Sequence, residues 1–164
     1  MFACTFFGHR DCPASIRPKL RAALTELIEE QGVDRFYVGQ QGNFDAVARG
    51  VLRELAETYP HIRYSVVLER LPGERRDGGD LSDTIFPEEL EGAPPRWAIS
   101  RRNAWMLERS DFVVTWITRT WGGAARFAAR AERRQKRVIP LAGRKRKNNR
   151  RLVRVKWLCQ TIRV

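Results

Sequence analysis

Ala3-Cys4-Thr5-Phe6-Phe7-Gly8-His9-Arg10 is an apolar run that stops at a glycine, and a helical pattern follows it directly. Between Pro13 and Gln31, Ile16, Leu20, Ala23, Leu24, Leu27 and Ile28 recur on one helical stripe, so the opening reads strand, loop, helix. The unit then repeats. Phe36-Tyr37-Val38 ends at Gly39, and Phe44, Val47, Val51 and Leu55 recur at helical spacing until Tyr59-Pro60 stops them. Arg63 to Leu68 supplies a third strand, Arg96 to Ser110 a helix, Asp111 to Trp116 a buried strand, Trp121 to Gln135 an Ala-rich helix, and Val138-Ile139-Pro140-Leu141 a closing strand. This alternation predicts an α/β fold, a three-layer α/β/α sandwich whose mainly parallel sheet has about five strands, followed by a basic C-terminal extension.

The connection from Glu69 to Pro95 is charged and aperiodic, carries Gly73, Gly78, Gly79 and Pro94-Pro95, and has the length of a lid or binding loop. Its Asp77, Asp80 and Asp83 lack the spacing of a calcium loop and read as a solvated acidic lid. Residues 143–164 begin as a basic run and end with Val153, Val155 and Trp157 alternating with Arg154 and Lys156, the pattern of a last edge strand or a docked extension.

Composition narrows the classes further. A chain of 164 residues with 43% hydrophobic residues can bury a sizeable core in one domain. No apolar run approaches the ~18 residues of a membrane helix, and Met1 to Phe7 lacks a basic prefix and cleavage site, so the expectation is a cytoplasmic protein without a membrane partner. Cys4, Cys12 and Cys159 match no zinc or redox spacing and read as reduced thiols, and with only His9 and His61 no metal site is expected. The formal charge of +12 is concentrated at the end. From Arg133 onward there are 13 Lys/Arg and no Asp/Glu, which leaves 12 − 13 = −1 for residues 1–132. Arg144-Lys145-Arg146-Lys147 and Arg150-Arg151 would attract a nucleic-acid backbone with steep salt dependence, or serve only as a solvated tail.

Three of the strand ends carry glycines that precede predicted helices: Gly8-His9-Arg10, Gly39 with Gly42-Asn43-Phe44-Asp45, and Trp121-Gly122-Gly123-Ala124. Ligands on a parallel sheet bind at the carboxyl ends of its strands, and a glycine turn running into a helix start favours an anion there. None of the three matches the dinucleotide fingerprint or the P-loop, so neither ordinary NAD binding nor Mg-ATP hydrolysis is indicated.

Taken with Asp83-Thr84-Ile85 and Pro87, Pro94-Pro95-Arg96, Arg102-Asn103 with Trp105-Met106, and Ser110-Asp111, these motifs resemble a bacterial and phage branch of the SLOG superfamily over about residues 3 to 141. The resemblance implies a Rossmann-like domain over residues 1–142, with the extension at 143–164. That superfamily includes the Lonely Guy phosphoribohydrolases, which release a base from a nucleoside monophosphate, and the DNA-processing protein that loads recombinase onto single strands. Arg102-Asn103-Ala104-Trp105-Met106 is similar to the Arg-Lys-x-x-Met segment of those enzymes. Ala128 and Ala129 stand where their catalytic glutamates would fall, which implies ligand binding without that chemistry and no catalytic residues.

The resemblance thus points to a nucleotide or nucleotide-derived ligand held by Gly8, His9, Arg10, Gly39, Gly42, Asn43, Asp45, Arg102, Asn103, Gly122 and Gly123. Arg10 and Arg102 have the planar fork that grips phosphate, or are surface charges. His9 orients a phosphate or acts as an acid-base group, or merely caps the following helix. Asp45 accepts from a ribose hydroxyl or charge-stabilises its own helix start. Asn103 bonds a base or ribose, or ties adjacent loops together. Trp105 and Trp121 stack on a base or, more commonly for such aromatics, fill the core. A Cys12–His9 nucleophile lacks a third orienting group. Single-stranded nucleic-acid binding through residues 144–151 and nucleoside-monophosphate hydrolysis are the alternative functions, and the sequence leaves a homo-oligomer open.

Overall fold

The computed structural model describes residues 1–71 and 83–143. Its elements alternate: β1 (Phe2–Gly8), α1 (Arg17–Glu29), β2 (Val33–Val38), α2 (Gly42–Thr58), β3 (Arg63–Val67), β4 (Thr84–Ile85), α3 (Pro95–Glu108), β5 (Phe112–Trp116), α4 (Gly123–Arg133) and β6 (Arg137–Pro140). The six strands form one sheet in the order β4-β3-β2-β1-β5-β6, and every pairing is parallel. Parallel strands need crossovers, and the helices supply them on both faces, which gives the Rossmann-like α/β architecture.

Period-2 alternation assigns each strand residue to a face. Cys4 and Phe6 of β1, Phe36 and Val38 of β2 and Phe112 and Val114 of β5 pack with Leu20, Leu24, Leu27 and Ile28 of α1 and Phe44, Val51, Leu52 and Leu55 of α2. Phe7, Val67 and Val113 point the other way, onto Met106 and Leu107 of α3 and Phe127 and Ala131 of α4. Each fully buried Leu or Phe in these layers contributes about 1.5–3 kcal/mol of transfer free energy.

The sheet has one strand more than the sequence predicts. β4 is two residues long and lies in the charged stretch read as a lid, where no hydrophobic period can announce it; main-chain bonds from Val66 to Asp83 (2.7 Å) and from Leu68 to Ile85 (2.9 Å) fix it. The expected first helix is preceded by a short 3-10 turn at Ala14–Ile16, because Pro18 favours the first turn of α1 rather than its interior. Asp83 joins the fold by accepting from the Tyr64 hydroxyl at 2.8 Å. Asp77 and Asp80, Cys159, the edge strand expected around Val153 and the basic cluster at 144–151 lie outside the described residues. No helix among the described residues is long and apolar enough to cross a membrane.

Candidate functional site

The strand order runs outward from β1 in both directions, toward β2 on one side and β5 on the other, so the chain reverses its winding between β1 and β5. Crossovers leave the two strands toward opposite faces there, and a crevice opens at their carboxyl ends. A cleft of about 250 Å³ occupies that position, lined by Gly8, His9 and Arg10 after β1, Gln41 and Asp45 at the start of α2, Ile99, Arg102 and Asn103 on α3, and Arg119, Gly122, Gly123 and Ala124 after β5. Gly39, Gly42 and Asn43, expected at the site, do not line the cleft; they hold its wall.

Gly42 shows how. Its φ is +84°, and an added Cβ would lie 2.7 Å from the Arg10 Cα. Only glycine permits the loop after β1 to sit this close to the start of α2, and the Asn43 N–H donates to the Arg10 carbonyl at 3.0 Å across the contact. Beneath it, a Cβ on Gly39 would come within 2.5 Å of Asp45 Oδ2 and 3.0 Å of the Arg102 guanidinium.

Arg102, 3% exposed, is the centre of a buried polar network. Its Nη1 donates to Glu69 Oε2 at 3.2 Å, and its Nε and Nη2 donate to Asn103 Oδ1 at 3.2 and 2.9 Å. Burial lowers the proton affinity of the guanidinium while Asp45 and Glu69 raise it, and an arginine stays a cation under either influence. Burial pushes the Asp45 carboxyl above the ordinary range against the Gln41 N–H and Arg102. For Glu69, burial is outweighed by its own backbone N–H, by Arg102 and by the side-chain amides of Gln40 and Gln41, which hold the carboxyl below its usual value. Arg102 therefore faces the cleft with much of its donor capacity already used on Asn103 and Glu69, and Asn103 with its Oδ1 taken by Arg102. Asp45 takes the helix-start role, accepting from the Gln41 N–H at 2.9 Å.

Arg10 differs from Arg102. It is exposed at the rim, and its guanidinium has no hydrogen-bond or ion-pair partner among the described residues. His9 is buried, but does not cap α1: its Nε2 accepts from the Arg119 N–H at 3.4 Å, tying the loop after β1 to the loop after β5. Burial, and then the charge of Arg119, lower its pKa from the ordinary imidazole value and favour the neutral ring.

The two helix starts at the cleft are not equivalent. At α2 no side chain among the described residues caps the helix, but the Arg10 carbonyl accepts from the Asn43 N–H of its first turn, and Asp45 holds the N–H of the preceding Gln41. At α4 no side chain among the described residues caps the helix, Gly122 (φ +96°) turns the chain into it, and the first helical bond recorded is Arg126 N–H to the Gly122 carbonyl at 3.1 Å. The N–H groups of Gly123 to Ala125 precede that bond, so the positive end of α4 opens onto the cleft.

Sequence reasoning did not identify Glu69 and Arg119. Both follow strands at their carboxyl ends, two residues past β3 and three past β5, so the strand-end rule would have found them had it not been restricted to glycine-bearing turns. Trp105 packs edge-on against Tyr37, with ring centroids 5.4 Å apart, whereas Trp121 is 68% exposed and not a core residue.

Cys12 is buried three residues after His9 and its thiol faces the Pro13 carbonyl at 3.7 Å. Burial, aided by Asp11, pushes the thiol up to about 11, which removes the thiolate a nucleophile needs. Iodoacetamide at pH 8 is therefore expected to leave Cys4 and Cys12 unmodified in the folded protein and to modify both after denaturation, read by peptide mass spectrometry. Rapid labelling of Cys12 in the native state would contradict this. Among the described residues no group of three or more His, Cys, Asp or Glu is placed to hold a metal ion.

A comparison with known protein families and with curated proteins found no match to this chain, so the reading of the cleft rests on its own geometry.

Proposed function

We propose that the chain is a cytoplasmic binding protein for a nucleotide or nucleotide-derived small molecule, in keeping with its resemblance to the SLOG superfamily. The phosphate end lies on the N-terminus of α4, and Arg10 closes over it. One observation carries the reading: among the described residues the cleft-facing start of α4 lacks the main-chain partner that the start of α2 has, and the Arg10 guanidinium on the same cleft has none either. Backbone N–H groups at a helix start together with a guanidinium fork form an anion site. The cleft volume of about 250 Å³ lies just below the roughly 300–1,000 Å³ of drug-sized sites and suits a mononucleotide better than a dinucleotide. Ala128 and Ala129 on α4 are absent from the cleft lining, so the positions of the Lonely Guy glutamates offer no carboxylate to a bound ribose.

A thermal-shift screen of the full chain tests this at low and physiological salt, against nucleoside mono-, di- and triphosphates, cyclic nucleotides, ribose 5-phosphate and short single-stranded oligonucleotides. A salt-tolerant rise in Tm with a small nucleotide is the expected result, and Arg10→Gln should weaken that ligand about 10-fold or more through the lost charged hydrogen bond. Stabilisation by oligonucleotides alone, vanishing at physiological salt, would instead assign the function to the basic extension. Release of ribose 5-phosphate from a nucleoside monophosphate would make the chain a hydrolase.

A further inference from the structure

Trp121 stands immediately before the two cleft-lining glycines, Gly122 and Gly123, and is 68% exposed. The Arg119 guanidinium lies over the ring, 4.6 Å from its centroid. Arg119 is itself fixed from behind: its Nη1 donates to both Asp11 carboxylate oxygens at 3.0 Å, and its backbone N–H donates to His9 Nε2 at 3.4 Å. A large aromatic surface is thus held in one orientation at the mouth of an anion-favouring cleft, with a cation backing one face and the exposed area left for a second planar group.

The other exposed tryptophan, Trp97, does not share this position. It is 50% exposed on the first turn of α3, two residues before the cleft-lining Ile99. At 3.6 residues per turn, two residues are about 200° apart, so Trp97 faces away from the side of α3 that Ile99 presents to the cleft.

We propose that Trp121, backed by Arg119, is the platform on which the base of the ligand stacks, so that the cleft selects nucleotides over sugar phosphates and inorganic phosphate. This rests on the reading of the cleft as a phosphate-ester site. With the phosphate on the start of α4, the chain order Arg119, Trp121, Gly122 places the indole beside the phosphate subsite, on the rim that a base would reach. Stacking on an aromatic face tolerates any base, so the platform sets the class of ligand and leaves the choice of base to the cleft wall.

The test is calorimetric titration of the full-length wild type, Trp121→Ala and Trp121→Phe with the four ribonucleoside 5′-monophosphates, ribose 5-phosphate and inorganic phosphate. The expected result is that wild type binds its preferred monophosphate more tightly than ribose 5-phosphate. Trp121→Ala should lose about 10-fold or more of the nucleotide affinity with ribose 5-phosphate unchanged, and Trp121→Phe should recover most of it. Nucleotide affinity unchanged in Trp121→Ala would overturn the platform while leaving the phosphate-ester site standing. Binding of none of the probes by wild type would overturn the site reading, and the platform with it.

Discussion

Replacing Arg102 with methionine should lower the unfolding free energy by about 3–5 kcal/mol at pH 7, the usual cost of removing one partner from a buried ion pair. Methionine keeps much of the length and apolar volume of the side chain, so packing is nearly preserved and the loss is electrostatic. Glu69 and Asp45 are left with no guanidinium between them, and the Asn103 carbonyl loses both donors. The pH dependence follows from the signs. In wild type Glu69 is held below its usual value, so its contribution is present at neutral pH and lost on acidification. Without the cation both carboxyls bind protons more readily in the folded state than in the unfolded one, and a group with a raised folded pKa contributes stability at low pH that disappears as pH rises. The deficit of the variant should therefore shrink between pH 7 and pH 5 in urea titrations. Arg102→Lys, which keeps the charge but cannot span Asn103 and Glu69 with one planar fork, should fall between the two. A deficit under 1 kcal/mol that does not change with pH would mean that the network contributes little to the fold.

Gly8→Ala should be nearly as damaging for a steric reason. The added Cβ would lie 2.2 Å from Cδ1 and 2.3 Å from Cγ of Phe44, a ring 1% exposed and packed edge-on against Phe6 at 6.5 Å. Gly8 is held in register opposite Trp116, so the strand cannot retreat and the ring must move. Overpacking of this kind costs about 3 kcal/mol, which for a domain of this size lowers Tm by roughly 6–12 °C. The same displacement pushes on the first turn of α2, where Gly42 and Asp45 shape the cleft wall, so nucleotide binding should weaken together with stability. Phe44→Leu in the Gly8→Ala background should restore part of the loss, a coupling a double-mutant cycle would measure. Additive losses would place the strain elsewhere.

The fold was readable because α1 and α2 keep their helical period, β1 is an apolar run ending at Gly8, and Phe36-Tyr37-Val38 of β2 stops at Gly39. β4 was not, since a strand of two residues is too short to leave a period in the side-chain pattern. Two of the three glycine turns, at Gly8 and at Gly122-Gly123, line the cleft at the carboxyl edge of the sheet, because tight strand-to-helix turns are needed where two loops and a helix start converge. The pairing of Arg102 with its neighbour Asn103 was hidden for a different reason: adjacent helical residues do not normally face one another, and here the Arg102 guanidinium folds back on Asn103 while it also reaches Glu69, 33 residues earlier in the chain and just past β3. Trp121 precedes the periodic part of α4, so helical spacing says nothing of its exposure. The two arginines expected to act alike are separated by burial alone. Arg102 is committed to Glu69 and Asn103 inside the wall, and Arg10 stands at the rim with no partner for its guanidinium among the described residues.

The most direct test of the cleft as a nucleotide site is amide chemical-shift mapping of the full-length, 15N-labelled protein titrated with the monophosphate that gives the largest thermal shift. Saturable shifts confined to the amides of Gly8, His9, Arg10 and Gly122 to Ala125, together with the Trp121 indole N–H, are the predicted result. Shifts scattered over the surface, or confined to the Arg- and Lys-rich extension, would contradict it.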